Sequence, residues 1–154
     1  MFNSIIHKVI KMSNAFVVYV RNEEQVLLMK RADSVSEFPL AWDGIFGVGD
    51  ANDLDVVLQR IKEATGIESD KITHIRTGEP RGLAFGNVLN EVTPVLVATT
   101  ETHVVPAALY SEHEWIDAGD MRTKDYAIPS LVEMYGDVGS YLYILKTSIG
   151  QEAN

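Results

Sequence analysis

Two charged residues on one predicted helix, Arg60 and Glu63, have side chains suited to binding or chemistry. An arginine is always charged, and its planar guanidinium fits the oxygens of phosphates and carboxylates. Arg60 therefore either binds an anionic ligand or forms an ion pair with Glu63 or Glu91. A glutamate can offer oxygens to a hard cation such as Mg²⁺ or pair with a neighbour one helical turn away. Glu63 is thus either a metal ligand or a surface partner of Gln59 or Arg60.

Two further candidates, Glu91 and Arg31, lie on or beside predicted strands. Glu91 belongs to the β-prone segment Val88–Thr99, which we expect to be a central strand. An ionised group there is costly unless it pairs with a base or faces a cleft, so we expect Glu91 to face the ligand cleft. Arg31 directly follows the predicted strand 25–30, where alternation turns Lys30 the other way. Arg31 is therefore expected to lie on the face of the sheet opposite to Lys30.

Local patterns predict the elements that position these residues. The helix begins after the N-cap Asp53, carries one apolar stripe and ends at Gly66. A turn at 22–24 joins two strands, and Arg76 and Arg81 flank a predicted loop at 78–80. Besides 88–99, the predicted strands are Ala15–Val20, Gln25–Lys30, Thr73–Arg76 and a short one around Glu114–Ile116; a late helix is predicted at Ser130–Tyr135. Mixed strands and helices with hairpins indicate an α+β sandwich.

Composition indicates one domain of a globular protein. The chain has 154 residues, of which 46% are hydrophobic and 23% charged. We expect an N-terminal extension or short helix at 1–14, with Met12 as an alternative start, then a domain at 15–138 and a tail at 139–154. A net charge of -9 argues against nucleic-acid binding. No apolar run approaches a membrane span, so no membrane partner and a cytoplasmic location are expected.

The segments around the predicted helix resemble those of a known family. A QVLLMKR strand, a loop ending in FPLAW, a glycine-rich turn and a helix closing in EATGI are similar to the Nudix hydrolases. The resemblance extends from about residue 15 to residue 135. It implies an α/β/α sandwich around a mixed sheet, and a helix whose carboxylates bind a divalent cation during diphosphate hydrolysis. It also implies that Arg31, which matches a basic residue common in the family after the second strand, contacts a ligand phosphate.

The match to the family signature, G-x5-E-x7-R-E-U-x-E-E-x-G-U, is incomplete on the helix. Gln59 stands where the family has arginine, and Arg60 stands where it has glutamate. Glu63 retains the first glutamate of the later pair, while Ala64 replaces the second. Arginine and alanine offer no lone pair to a metal. The resemblance therefore implies either a weakened Mg or Mn site formed by Glu63 and Glu91, or no metal at all.

A second resemblance concerns the segment 90–95, NEVTPV, which is similar to part of the isopentenyl-diphosphate isomerases. Those enzymes share the Nudix fold, tolerate arginine at the position of Arg60 and use a glutamate matching Glu91 in their metal and acid site. Their essential cysteine falls at Phe46, an aromatic residue that we expect either in the core or lining the cleft. The chain contains no cysteine. The same acid–base isomerisation is therefore the least favoured function.

Three hypotheses follow for the function. The first is a divergent Nudix hydrolase, in which Glu63 and Glu91 act on a nucleoside-diphosphate-linked or similar diphosphate compound. The second is a non-catalytic Nudix domain that binds a partner or a small anionic ligand, such as a nucleotide derivative, through Arg31, Arg60 and Phe46. The third is the isomerase. A homodimer is a further expectation from the resemblance.

Overall fold

A computed structural model describes residues 12–34, 38–85, 88–126 and 131–139 of the chain. The predicted N-terminal segment up to residue 11 and the tail from residue 140 lie outside the described residues. Within the described ranges, no helix is both long enough and apolar enough to cross a membrane.

The described residues form eight strands, two α-helices and two short 3₁₀ segments. The strands are β1 (Met12–Asn22), β2 (Gln25–Arg31), β3 (Trp42–Asp43), β4 (Ile45–Val48), β5 (Ile72–Thr77), β6 (Arg81–Phe85), β7 (Val88–Thr99) and β8 (Tyr110–Asp117). Helix α1 spans Leu54–Thr65, and residues 131–139 form helix α2. The 3₁₀ segments are Ser69–Lys71 and Ala118–Thr123.

All eight strands belong to one mixed sheet with the long strands β1 and β7 near its centre. The main order is β3-β2-β1-β7-β5, while β4 pairs with β1, β6 with β7 and β8 with β2. Strands β1 and β7 run parallel, and this register places Asn14 opposite Glu91. The remaining pairs between these strands are antiparallel. Glu91 therefore lies in a central strand, as its surrounding sequence predicted.

The sheet separates two apolar cores because side chains alternate along β1. One face of β1 packs beneath α2 and the opposite face packs beneath α1. The α2 side receives Ala15, Val17 and Tyr19, and the α1 side receives Phe16, Val18 and Val20. One helix thus covers each face of the sheet. The predicted α+β class and α/β/α layering are confirmed.

Helix α1 begins and ends at the residues that its sequence predicted. The Asp53 carboxylate accepts a hydrogen bond from the Val56 N–H at 3.4 Å. Gly66 adopts φ 76°, in the left-handed region that favours glycine, and its N–H donates to the Lys62 carbonyl. Val57 and Ile61 are fully buried against the sheet. The same turns place Arg60 and Glu63 on the partly exposed flank of the helix.

Several strands differ from the prediction. Strands β3, β4 and β6 were not predicted, and Arg81, placed in a loop by the sequence, begins β6. The RGLAF segment has no alternating pattern of its own; it is a strand because it pairs with β7. Strand β8 extends well beyond its predicted core, and β1 begins three residues earlier, at Met12.

Tyr19 joins the sheet to α2 through a buried hydrogen bond, which supports a first prediction. Its hydroxyl donates to the Leu131 carbonyl at 2.7 Å, and burial raises its pKa so that it stays protonated. We expect Tyr19→Phe to lower the free energy of unfolding by about 1–2 kcal/mol, because the buried carbonyl loses its donor. Urea unfolding followed by circular dichroism measures the change. Tyr110→Phe is the control, since its hydroxyl has only a 3.4 Å contact with Arg60; equal losses in both variants would contradict the prediction.

Candidate functional site

A groove beside helix α1, of about 480 Å³, contains two of the residues predicted to act. We call it the α1 groove; its lining residues are Phe16, Val48, Asp55, Val56, Gln59, Arg60 and Glu63. Val48 at the end of β4 is 81% exposed and forms an apolar wall with Val56. Arg60 is the single basic residue among the described residues that line the groove. The volume lies within the range typical of pockets for small molecules.

The Arg60 guanidinium in this groove makes one short and two long contacts with oxygen atoms. Its Nε donates to the Phe46 carbonyl at 2.6 Å, a short and strong hydrogen bond. Its Nη2 lies 3.4 Å from the Tyr110 hydroxyl, and its Nη1 lies 3.9 Å from Glu63 Oε2. The first contact fixes the guanidinium, whereas the other two are long and weak. Both terminal nitrogens therefore retain donor capacity for an anionic group.

Glu63 extends from the next turn of the helix into the same groove. Its Oε1 accepts a hydrogen bond from Gln59 Nε2 at 3.2 Å, and its side chain is 54% exposed. Ala64, the neighbouring position of the signature, is fully buried in the core beneath α1. A longer acidic side chain at position 64 would start from the core rather than from the groove. Of positions 63 and 64, only position 63 therefore places a carboxylate in the α1 groove.

Glu91 lines a separate cavity of about 310 Å³. Val48 lines the α1 groove and Gly49 lines this cavity, so consecutive residues at the end of β4 contribute to the two linings. Asp50 and Glu79 also line the cavity. The structure thus places Glu91 at a cavity wall, but in a different cavity from Glu63.

Arg31 forms an ion pair with a carboxylate that the sequence analysis did not identify. Its Nε and Nη2 lie 3.1 Å and 2.7 Å from Oδ2 of Asp43, which is fully buried. The second oxygen, Oδ1, makes no hydrogen bond with any described residue. Burial raises the pKa of Asp43 from 3.8 to about 6, although the Arg31 charge opposes this shift. A largely buried arginine needs a counter-ion, but the burial of Arg31 is visible only in the folded structure.

Tyr110 and Phe46 complete the surroundings of Arg60. Burial, followed by the nearby Asp43 charge, raises the pKa of the Tyr110 hydroxyl, so it remains a neutral dipole beside the guanidinium. The Phe46 ring packs with the core beneath α2, on the opposite face of the sheet. Only the Phe46 carbonyl reaches the site, where it accepts from Arg60. The residue contributes through its backbone.

The described residues do not fit a divalent cation. Among them, no group of three His, Cys, Asp or Glu side chains is placed to hold a metal ion. Asp55 and Glu63 share the groove, but eight residues of helix separate them by about 12 Å along its axis. Mg²⁺ needs oxygen ligands at about 2.0–2.1 Å, which two carboxylates so far apart cannot supply together.

Comparison with known proteins gives matches in structure but not in sequence. No family model matches the chain, and no curated protein matches it significantly. The Nudix domain of Shewanella oneidensis NrtR, solved in complex with ADP ribose, superposes with a TM-score of 0.67 at 15% identity, covering 85% of this chain and 88% of that chain.

Two further solved structures show the same likeness. A C. elegans Ap4A hydrolase, solved as a binary complex, has a TM-score of 0.66 at 14% identity, with 86% of this chain and 98% of that chain covered. The Nudix hydrolase RenU from M. smegmatis has a TM-score of 0.64 at 18% identity, with 90% and 87% covered. At such identities the agreement concerns the path of the chain. The fold expected from the sequence resemblance is confirmed: this chain has the fold of the Nudix hydrolases.

Proposed function

We propose that this protein is a ligand-binding domain of Nudix fold, which holds a small anionic molecule such as a nucleotide derivative in the α1 groove. One observation carries the proposal. The Arg60 guanidinium is fixed through its Nε at 2.6 Å from the Phe46 carbonyl, while its terminal nitrogens make only long contacts. A preorganised guanidinium loses little freedom when it binds phosphate oxygens, which favours recognition.

The surroundings of Arg60 support an elongated ligand with an anionic part and a less polar part. The exposed side chains of Val48 and Val56 offer an apolar wall beside the guanidinium. The domain of similar structure from Shewanella oneidensis was solved with ADP ribose, a molecule of this kind. Arg31, the other predicted phosphate contact, is engaged by Asp43, so the proposal places the anionic part at Arg60. A cytoplasmic location suits such a ligand and stays a prediction from the sequence.

Calorimetric titration with ADP ribose tests this proposal. We expect Arg60→Gln to weaken binding about tenfold or more, because a charge-assisted hydrogen bond contributes about 1.5–3 kcal/mol. Val48→Glu should weaken binding as well, through repulsion of the anion, and its site is exposed enough for folding to be unaffected. Arg122→Gln, an exposed arginine outside the groove, is the matched control and should bind as the wild type does. Equal affinity in all four proteins, or no binding by the wild type, would reject the proposal.

Hydrolysis of a diphosphate linkage is a second candidate function. It is supported by an acidic residue in each of two cavities, Glu63 in the α1 groove and Glu91 in the cavity that Gly49 also lines. The test is incubation with ADP ribose and diadenosine tetraphosphate in Mg²⁺ or Mn²⁺, with chromatographic detection of products. Turnover that Glu63→Gln and Glu91→Gln each abolish would establish hydrolysis. Intact substrate after incubation with the wild type would leave binding as the function.

A further inference from the structure

Three oxygen-bearing groups, each able to accept a hydrogen bond, lie around the Arg60 guanidinium. They are a backbone carbonyl of Phe46, a neutral hydroxyl of Tyr110 and a carboxylate of Glu63. Such a mixed oxygen set is also what a hard metal ion takes as ligands. In this groove the positive charge among these oxygens is the Arg60 guanidinium, where another site could have a metal ion.

The charge of Arg60 is permanent, and this determines what else can bind nearby. A guanidinium does not lose its proton at any pH at which proteins are folded. A divalent cation approaching Glu63 would meet this charge within a few ångströms and would find Glu63 Oε1 already bonded to Gln59. Among the described residues that line the groove, the other carboxylate is Asp55, two turns away, while Ala64 lies in the core. Repulsion by Arg60 and the lack of a second carboxylate ligand therefore both weaken the binding of a divalent cation at Glu63.

We infer that the Arg60 guanidinium takes the place of a divalent cation in the α1 groove, so that the groove binds its anionic ligand without a metal. The inference rests on the proposed function for its ligand, but its metal part can be tested alone. Arg60 supplies the positive charge that a bridging cation would otherwise provide to phosphate oxygens. The guanidinium adds directed donors, which a metal ion lacks.

Titration with Mn²⁺ alone, followed by electron paramagnetic resonance, tests the metal part. The wild type and Glu63→Gln should show the same weak, nonspecific binding expected of an acidic surface. Arg60→Glu places two carboxylates one turn apart and should gain a site at least about tenfold tighter. Gln59→Glu is the matched control: it also adds a carboxylate one turn from Glu63 but keeps Arg60, so it should gain none. A Mn²⁺ site in the wild type that Glu63→Gln removes would overturn the inference.

Calorimetry with ADP ribose in a chelating buffer and in Mg²⁺ tests the ligand part. We expect equal affinity in both buffers for the wild type. A tenfold gain in affinity on adding Mg²⁺ would overturn the inference while leaving the proposed binding function intact. Absence of ADP ribose binding in both buffers would reject the proposed function, and the Mn²⁺ titration would then decide the inference alone. Circular dichroism checks that each variant is folded. If Arg60→Glu does not fold, the Mn²⁺ titration of the wild type and Glu63→Gln and the wild-type calorimetry decide the outcome.

Discussion

Replacing Arg31 by methionine should destabilise the protein by about 3 kcal/mol at pH 7 and by much less at pH 5. Removing one partner of a buried ion pair leaves the other charge uncompensated, at a cost of about 3–5 kcal/mol. Protonation of Asp43 limits this cost, so we expect the lower end of the range. At pH 5 the Asp43 carboxyl, with a pKa of about 6 in the folded protein, is already largely protonated. Little of the ion pair then remains to be lost.

The sign of the pH dependence follows from the direction of the pKa shift. The folded protein holds the Asp43 proton more tightly than the unfolded chain does, since burial raises the pKa from 3.8 to about 6. The contribution of Asp43 to stability is therefore largest below the lower value and decreases as pH rises through the higher one, by about 3 kcal/mol in total. In Arg31→Met the pKa of Asp43 rises further, so the decrease extends to higher pH. Asp43→Asn removes this dependence.

Urea unfolding between pH 4.5 and pH 7.5 measures both effects in the wild type and the variants. Lys30→Met is the matched control, because Lys30 lies on the same strand and its ion-pair partner Glu112 has a 60% exposed side chain. We expect it to change stability by less than about 1 kcal/mol. A loss in Arg31→Met that is the same at every pH would show that Arg31 acts through packing rather than through Asp43.

Gly47→Ala should lower the free energy of unfolding by about 2–3 kcal/mol, because overpacking a well-filled core costs about 1–3 kcal/mol. A Cβ atom at position 47 would lie 2.3 Å from Cζ of the Phe16 ring, which is fully buried beneath α1. Either the ring or strand β4 must move. Movement of β4 would displace the Phe46 carbonyl from Arg60, so we expect weaker ADP ribose binding in the same variant.

The control for this substitution is Gly119→Ala. A Cβ atom there would meet nothing within 4 Å, and the residue lies in the exposed 3₁₀ segment. Thermal and urea unfolding of the two variants compare a crowded glycine with an open one. Equal stability of Gly47→Ala and Gly119→Ala would contradict the predicted clash.

Features encoded over a few neighbouring residues were predicted correctly from the sequence. Asp53 and Gly66 mark the ends of α1 because a cap depends on the side chain or the φ angle of one residue. The predicted extents of β2 and β7 follow from their many β-prone residues, although β7 also contains Asn90, Glu91 and Pro94. The signature positions on α1 also predicted that Arg60 and Glu63 would lie near each other, since residues three apart on a helix are neighbours.

The remaining features depend on partners that are distant in the chain. Strand β6 exists because it pairs with β7, and Arg81 is held by two hydrogen bonds, at 2.6 and 2.7 Å, to Asp137 in α2. Asp43 is buried because its two-residue strand pairs with β2 and brings it to Arg31. The pattern of neighbouring residues in the sequence does not indicate these contacts.

For the pair Arg60 and Glu63, some properties follow from the local sequence and others from the tertiary structure. Their identities, and the loss of carboxylates around them, are visible in the chain and already place a metal site in doubt. The contacts of Arg60 with the Phe46 carbonyl and the Tyr110 hydroxyl required the folded sheet, because these partners lie 14 and 50 residues away. Side-chain chemistry is a property of each residue, whereas the burial and distance that direct it arise when remote segments pack together.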